Sequence, residues 1–394
     1  MINISSPAEC CGCKTCVGVC PMNCIEMVEG TLGHLYPKVD LSKCSDCGLC
    51  ESVCPMTGDI SERANRQRFF AAFSVNPEMR KNGSSGGIFG TLSEYLTDNG
   101  YRVYAAAFDK DLNLVTTCAE SKDGLSCLFK SKYLICDNQD KFEEMKTRLQ
   151  NGDKVFYCSS PCLVAAFKKF LGKEYENLIT ADFICHGVPS LRFFKECMEF
   201  DRKKRYGGKK VLEYSFRVKK KNGATPHYFS VLLENGKRKT GYYFDSTFYA
   251  AFQKYISLRE SCYECRFAKR NRVSDITLGD FHSVENYLSG INRFDGISSV
   301  IINTQKGQKV WDACNPMLSF FELDIEKLIA DKVLFSGATG RPKETDGFIE
   351  VYEKDGVEGV YRKYLKSAFY LKNRFYYSLP SPVRRMIKNV KGLK

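Results

Sequence analysis

No apolar run in this 394-residue chain is long enough to cross a bilayer as a helix. The opening residues, Met1-Ile2-Asn3-Ile4-Ser5-Ser6-Pro7, lack the charged stretch and apolar core of a secretory leader. These two absences argue against a spanning helix and against export. Acidic residues are missing from 361–394, which holds ten Lys/Arg, and nearly missing from 202–221, where ten Lys/Arg meet one acid, Glu213. The net charge of +13 is therefore local, and the remainder of the chain stands at −6. No nucleic-acid recognition motif accompanies either basic stretch, so nucleic acid is not an expected partner. The 202–221 stretch reads as a solvated helix end and hairpin tip. Of the twenty cysteines, those after residue 54 are scattered as thiols are in a reducing compartment. The expected location is the cytoplasm.

What the chain does have is concentrated in its first 55 residues. Cys10, Cys13, Cys16, Cys20 and Pro21 form a C-x2-C-x2-C-x3-C-P run, and Cys44, Cys47, Cys50, Cys54 and Pro55 form a second. Two-residue gaps let three thiolates from one tight loop reach three corners of a cubane. In bacterial ferredoxin spacing the fourth cysteine serves the other cluster. The spacing thus assigns Cys10, Cys13, Cys16 and Cys54 to one [4Fe–4S] cluster and Cys44, Cys47, Cys50 and Cys20 to a second. Zinc sites show separated C-x2-C pairs instead. Cys11 and Cys24 fall outside the spacing and read as non-ligands. Residues 25–43 read as a small hairpin beside the clusters, with His34 on its surface, and 57–68 as a polar linker.

A second domain begins near Phe69. Ser84-Ser85-Gly86-Gly87 precedes a helical pattern of Ile88, Phe89, Leu92, Tyr95 and Leu96. Small residues before a helix allow backbone N–H groups to approach a flavin or nucleotide phosphate; a plain Ser cap with flexible glycines is the alternative. Arg102–Phe108, Lys154–Cys158 and Leu178–Ile184 read as strands. Helices follow from 137 or 138, from Ser160-Pro161 and from Pro189 or Ser190. Strand–helix alternation predicts an α/β sheet with parallel strands. Ligands in such sheets bind beyond the carboxyl ends of the strands, which is where Cys162 and Cys185 fall. Tyr214–Val218, Tyr228–Leu233, Ser274–Phe281 and Ser298–Asn303 read as further strands. Residues 307–314 and 324–335 read as helices, with Trp311 in the core.

Cys262 and Cys265 add a local C-x2-C pair. Cys162, Cys185, Cys262 and Cys265 therefore make a candidate four-thiolate set. A third [4Fe–4S] cluster, a structural zinc ion and unliganded buried thiols are all compatible with this spacing; Cys158 is a rival for one position.

The ordered motifs together resemble one family. They are the two cysteine runs, Ser84 to Phe89, Lys130-Ser131-Lys132-Tyr133, Ser159-Ser160-Pro161-Cys162, Ile184-Cys185-His186-Gly187-Val188-Pro189, Cys262-x2-Cys265 and Ser274 to Phe281. This set is similar, over about residues 1–305, to the coenzyme F420 hydrogenase/dehydrogenase beta-subunit family. The resemblance implies an α+β ferredoxin-like 2[4Fe–4S] domain at 1–60. An α/β flavin-binding domain with a mixed, partly parallel sheet follows at 69–345, then a helical basic tail at 346–394. It also implies bound FAD and favours the third [4Fe–4S] cluster. The implied activity is that of an iron–sulfur flavoprotein oxidoreductase. It would exchange electrons with a carrier protein such as ferredoxin and act on a small-molecule substrate or deazaflavin coenzyme. Bacterial members with this layout resemble proteins encoded among polysaccharide-synthesis genes. The alternative is an electron-transfer subunit whose substrate site lies in another chain.

Carried over by position, Ser84, Ser85, Gly86, Gly87, Lys130, Ser131, Lys132 and Tyr133 are the implied flavin contacts. Asp280 and His186 are the implied polar groups near the ring, with His186 as proton donor or as a brace for the Cys185 turn. The tail at 361–394 alternates aromatics with Lys and Arg. That pattern suits peripheral contact with the anionic inner face of a membrane, or a helix packed on the domain with a solvated basic side.

Overall fold

In the computed structural model, the residues described are 1–58, 67–219, 227–291, 295–326 and 337–366, with a few isolated positions beyond. Most of the 57–68 linker, the end of the 202–221 stretch, most of the 324–335 helix and nearly all of the 361–394 tail lie outside them. Among the described residues, no helix is long and apolar enough to cross a membrane.

The N-terminal module is small. Strands Ile25–Glu29 and Leu35–Val39 form the antiparallel hairpin expected between the cysteine runs. Short helices Thr15–Gly18 and Leu49–Ser52 carry Cys16 and Cys50. The module is held to the rest of the chain by cations that donate to its carbonyls. Lys169 donates to Cys54 at 2.8 Å and to Thr57 at 2.6 Å, and Arg266 donates to Met56 and Gly58. Lys14 pairs with Asp137 across the same boundary.

His34 corrects the sequence reading. It is buried, not on the hairpin surface, and its Nε2 has no hydrogen-bond partner among the described residues. Burial pushes its pKa down from 6.5 to about 3. The unfolded chain therefore takes up a proton near pH 6.5 that the folded chain refuses until about pH 3. Stability is whole above this window and falls as pH drops through it, by at most about 1.4 kcal/mol per pH unit. His34→Gln is expected to flatten that part of the decline in urea midpoints measured between pH 7 and 5. A profile parallel to the parent's would contradict the buried, neutral imidazole.

The main domain is built on an eight-stranded sheet. Its spatial order is Leu318–Leu323, Arg68–Ser74, Ser298–Ile302, Ile276–Asp280, Leu178–Phe183, Lys154–Cys158, Tyr101–Phe108 and Leu114–Ala119. The four strands from Ile276–Asp280 to Tyr101–Phe108 are parallel, and the flanking pairs are antiparallel. The sheet is thus mixed and partly parallel. Arg68–Ser74 is apolar on both faces because it is covered on both, and Phe69, Phe70, Ala71 and Ala72 are buried. Trp311, from helix Gln305–Cys314, packs on Phe70 at 4.8 Å.

A second sheet of three antiparallel strands, Val211–Ser215, Tyr228–Leu233 and Arg238–Tyr242, packs with helix Leu191–Arg205 in an aromatic core. Helix Thr345–Val360 joins that core through Phe348 and Tyr352, and buried residues continue to Leu365. The core therefore runs past residue 345. The basic stretch is also not wholly solvated, since Arg217 and Lys219 turn inward while Lys203 and Lys204 remain exposed.

Candidate functional site

The two cysteine runs wind their loops in the same way. Gly12 and Asp46, which precede the second thiol of each run, have φ of 78° and 52°. Lys14 and Gly48, which follow it, have φ of 63° and 75°. Left-handed residues on both sides of a cysteine turn the loop tightly enough to aim its thiols at one hollow. Cys20, Cys44, Cys47 and Cys50 line one cavity, rimmed by Met1, Met22 and Leu49. Cys10, Cys13, Cys16 and Cys54 gather on the other side of the module, where burial and mutual repulsion push Cys16 and Cys54 up. The structure thus places Cys20 and Cys54 each with the opposite run. Cys24 lies 3.4 Å from Cys20.

Among the described residues, no three His, Cys, Asp or Glu side chains close in tightly enough to hold one metal ion. A cubane asks for something different. Each of its four thiolates binds a separate iron, so the sulfurs stand around a hollow and do not converge on a point.

Cys162 sits in the first turn of helix Pro161–Leu171, directly after strand Lys154–Cys158, and Cys185 follows strand Leu178–Phe183. These strands are parallel neighbours, with Cys158 opposite Ala181. Helix Glu260–Tyr263 and the loop after it bring Cys262 and Cys265. All four line one cavity, which Cys11 and Met56 of the N-terminal module also line. Cys158 packs instead in a separate core with Phe156. Ser160 is the N-cap of its helix, as expected, but its side chain makes no capping hydrogen bond; its hydroxyl lies 3.3 Å from the Cys162 sulfur. Burial pushes the thiols of Cys185 and Cys262 up, Cys262 to about 12. Four thiolates could share this site only with positive charge between them, which iron supplies.

Gly187 makes the assembly fit. Its φ is +116°, and a Cβ there would lie 2.8 Å from Cys262 Cβ. Gly187→Ala is expected to push Cys262 away and lose the iron of this site, about four atoms for a cubane. Unchanged iron content in that variant would contradict the packing.

The structure also shows which N-terminal set lies nearest this site. The Cys11 thiol interacts with both Cys13 and Cys162, and this contact holds Cys13 down at about 6. The Cys10/Cys13/Cys16/Cys54 set is therefore the inner one, and the Cys20/Cys44/Cys47/Cys50 set faces outward, with Cys47 exposed. Cys11 thus links the inner set to Cys162, a position its place outside the spacing did not signal.

Arg259 lies at this junction, 1% exposed. Its Nε donates to the Cys10 carbonyl at 2.5 Å and its Nη2 to the Leu35 carbonyl at 2.8 Å. No carboxylate pairs with it among the described residues. A buried guanidinium without a counterion is costly. The anions within reach are cysteine thiolates, so the donor chemistry fits a thiolate-bound cluster at Cys10, Cys13, Cys16 and Cys54.

The motifs assigned to flavin contact converge elsewhere in the domain. Ser131 donates to the Ser84 hydroxyl through its backbone N–H at 2.6 Å and approaches it with its own hydroxyl at 3.0 Å. Gly86 donates its N–H to Ser298, and Ser85 donates its hydroxyl to the Ile297 carbonyl. Gly87, not a serine, is the N-cap of helix Ile88–Asp98, and no side chain caps that helix. Lys132 donates to the carbonyls of Cys127, Leu128 and Phe129, which uses all three of its protons. Burial lowers its pKa to about 8. Lys130 is half-buried, its pKa is lowered by the same cause, and it is the lysine of this motif left for an anionic group.

Arg217 ties these motifs together. Its guanidinium meets Asp280 at 2.8 and 3.1 Å, the Ser84 carbonyl at 3.0 Å and the Tyr133 hydroxyl at 3.4 Å. It sits at φ +57°, a strained conformation for a residue with a side chain. Two buried donors or acceptors here, Arg217 Nε and His227 Nδ1, have no hydrogen-bond partner among the described residues. Buried polar atoms normally have one, so a polar ligand fits the place. Tyr133 stacks on Phe252 at 4.2 Å, Phe252 meets Tyr255 edge-on at 6.3 Å, and Tyr255 stacks on His186 at 5.6 Å. His186 also shares a 3.2 Å hydrogen bond with the Tyr255 hydroxyl. A continuous run of rings thus leads from the Cys185 turn to the Arg217 cluster. Sequence reading missed Arg217 because it lies within a basic stretch that reads as solvated.

Comparison with known proteins adds to this geometry. Residues 152–324 match the family described as the C terminus of the coenzyme F420 hydrogenase/dehydrogenase beta subunit. Residues 9–57 match the 4Fe-4S dicluster domain. The family segment contains Cys162, Cys185, Cys262 and Cys265 together with Arg217 and Asp280, so both halves of the candidate site fall largely within it. No curated protein matches the chain. A solved structure of the F420-reducing [NiFe] hydrogenase complex from Methanosarcina barkeri, derivatised with xenon, is similar at 17% identity. It covers 77% of this chain and 93% of its own, with a TM-score of 0.44.

Proposed function

We propose that this chain is an iron–sulfur flavoprotein oxidoreductase. It would link ferredoxin-type [4Fe–4S] clusters, by way of bound FAD, to a small-molecule substrate or a deazaflavin-type coenzyme. The observation that carries this reading is the cavity lined by Cys162, Cys185, Cys262 and Cys265, which Cys11 and Met56 of the dicluster module also reach. A redox site shared by both domains is what an electron-transferring chain needs.

The residues divide the work. The three cysteine sets would hold three clusters. The Ser84–Gly87 turn, Lys130, Ser131 and Tyr133 would hold FAD, with Lys130 facing its phosphates and Lys132 bracing the loop that carries them. When bound, these groups supply one-electron transfer and its conversion to two-electron chemistry, and the protein positions them. Arg217, oriented by Asp280, would present a fixed positive charge and hydrogen-bond donors to the ring. His186 would hold or deliver a proton through its contact with Tyr255. Burial of Cys162, Cys185 and Cys262 would keep water from those thiolates.

Rapid mixing with a reduced ferredoxin tests the order. In the intact protein the flavin absorption is expected to bleach. In a Cys262→Ser protein that still holds flavin, bleaching is expected to slow at least about tenfold, equivalent to about 1.4 kcal/mol of barrier. Bleaching at the parent rate would contradict the reading. The family description names a beta subunit, which favours as a second reading an electron-transfer role beside a partner chain. Turnover by the isolated chain would exclude it.

A further inference from the structure

We infer that Arg259 makes the inner N-terminal cluster the stronger electron acceptor of the module's two, so that electrons entering at the outer cluster are drawn inward. The inference rests on the dicluster part of the reading above and is independent of the flavin.

Arg259 opens the helix that carries Cys262, and its side chain reaches back into the N-terminal module. The sequence makes room for it. Gly12, between Cys10 and Cys13, has φ +78°, and a Cβ there would lie 3.0 Å from an Arg259 guanidinium nitrogen. The guanidinium also lies over the Tyr36 ring at 4.2 Å. The charge is therefore clamped in a dry place against the inner cysteine loop, with no carboxylate paired to it among the described residues; the neighbouring Glu260 pairs with Arg341 instead. In such surroundings a charge acts over several ångströms with little screening.

The outer set has the opposite environment. Asp46 lies between Cys44 and Cys47, and its backbone N–H approaches the Cys44 sulfur at 3.4 Å. Asp46 and Glu51 are both exposed, and share the Met1 ammonium as their cation at 3.3 and 2.9 Å. Two carboxylates against one ammonium leave that rim net negative. Reduction adds one electron to a cluster and so one negative charge. A fixed cation at the inner set favours that addition, and a net negative rim at the outer set opposes it.

The test is a redox titration followed by electron paramagnetic resonance on the full chain, in the parent and in Arg259→Gln and Arg259→Lys. The outer signal is identified as the one that Cys47→Ser alters. In the parent, the inner cluster is expected at the higher midpoint. Arg259→Gln is expected to lower it by at least tenfold in the reduction equilibrium, about 59 mV for one electron, with the outer midpoint unmoved. Arg259→Lys, which keeps the charge, is expected to restore most of that loss. Equal shifts in Gln and Lys would show a structural role and overturn the inference. So would an unmoved inner midpoint in a fully loaded Gln variant. Should Gln fail to assemble, the parent's order of midpoints still decides, and an outer cluster above the inner one overturns it. A chain without N-terminal iron would instead defeat the dicluster reading itself.

Discussion

Cys262→Ser is expected to remove about four of about twelve irons per chain and leave about eight in place, the count for two cubanes. The loss is confined because the sites are separate in the fold. Cys262 lies on helix Glu260–Tyr263 in the main domain, whereas the eight cysteines of the two runs all lie in the N-terminal module. Cys185→Ser should give the same result, since both line one cavity. Cys158→Ser should change nothing in iron content, because Cys158 packs in a different core. Serine at any of the four thiolate positions retaining about twelve irons would contradict the third site. The remaining eight irons should still be reducible, since neither N-terminal set uses these residues.

Arg217→Met is expected to release the flavin and to destabilise the domain, while iron content stays at the parent level. Both effects come from one side chain. Its guanidinium holds Asp280, Ser84 and Tyr133 in one cluster, and removing it leaves the largely buried Asp280 without its main cation. Breaking one partner of such a pair costs about 3–5 kcal/mol, at the lower end here because Asp280 keeps some solvent. Arg217→Lys should be nearly as damaging for flavin retention. A lysine is a point charge and cannot meet a carboxylate, a carbonyl and a hydroxyl with a planar fork. Equilibrium dialysis of FAD against each variant, beside thermal unfolding, separates the two effects. Parent-like flavin affinity in Arg217→Met would remove Arg217 from the site.

Much of this was legible in the sequence, and the reasons are specific. The cysteine runs carry their geometry in their spacing, because a cubane fixes the distances between its thiolates. The parallel half of the sheet was legible through strand–helix alternation. Tyr228–Leu233 emerges with the bounds its apolar pattern predicted. The antiparallel edge strands Leu318–Leu323 and Leu114–Ala119 were not read from the sequence. His34 was misread because a polar residue in a hairpin is usually exposed, and nothing local reveals that the Ser257 region covers it. Arg217 and Arg259 hide for a related reason. Each is one basic residue in a basic chain, and only tertiary structure shows which of them is buried. Lys130 and Lys132 were equivalent in sequence, and the three carbonyls around Lys132 distinguish them.

The central claim is that two domains share one redox path, with iron–sulfur sites in both and a flavin in the second. Iron, acid-labile sulfide and released flavin should be measured on the full chain, purified without oxygen and reconstituted with iron, sulfide and FAD. About twelve irons, about twelve sulfides and one FAD per chain are expected, from three cubanes and one flavin site. About eight irons with no flavin retained would contradict it.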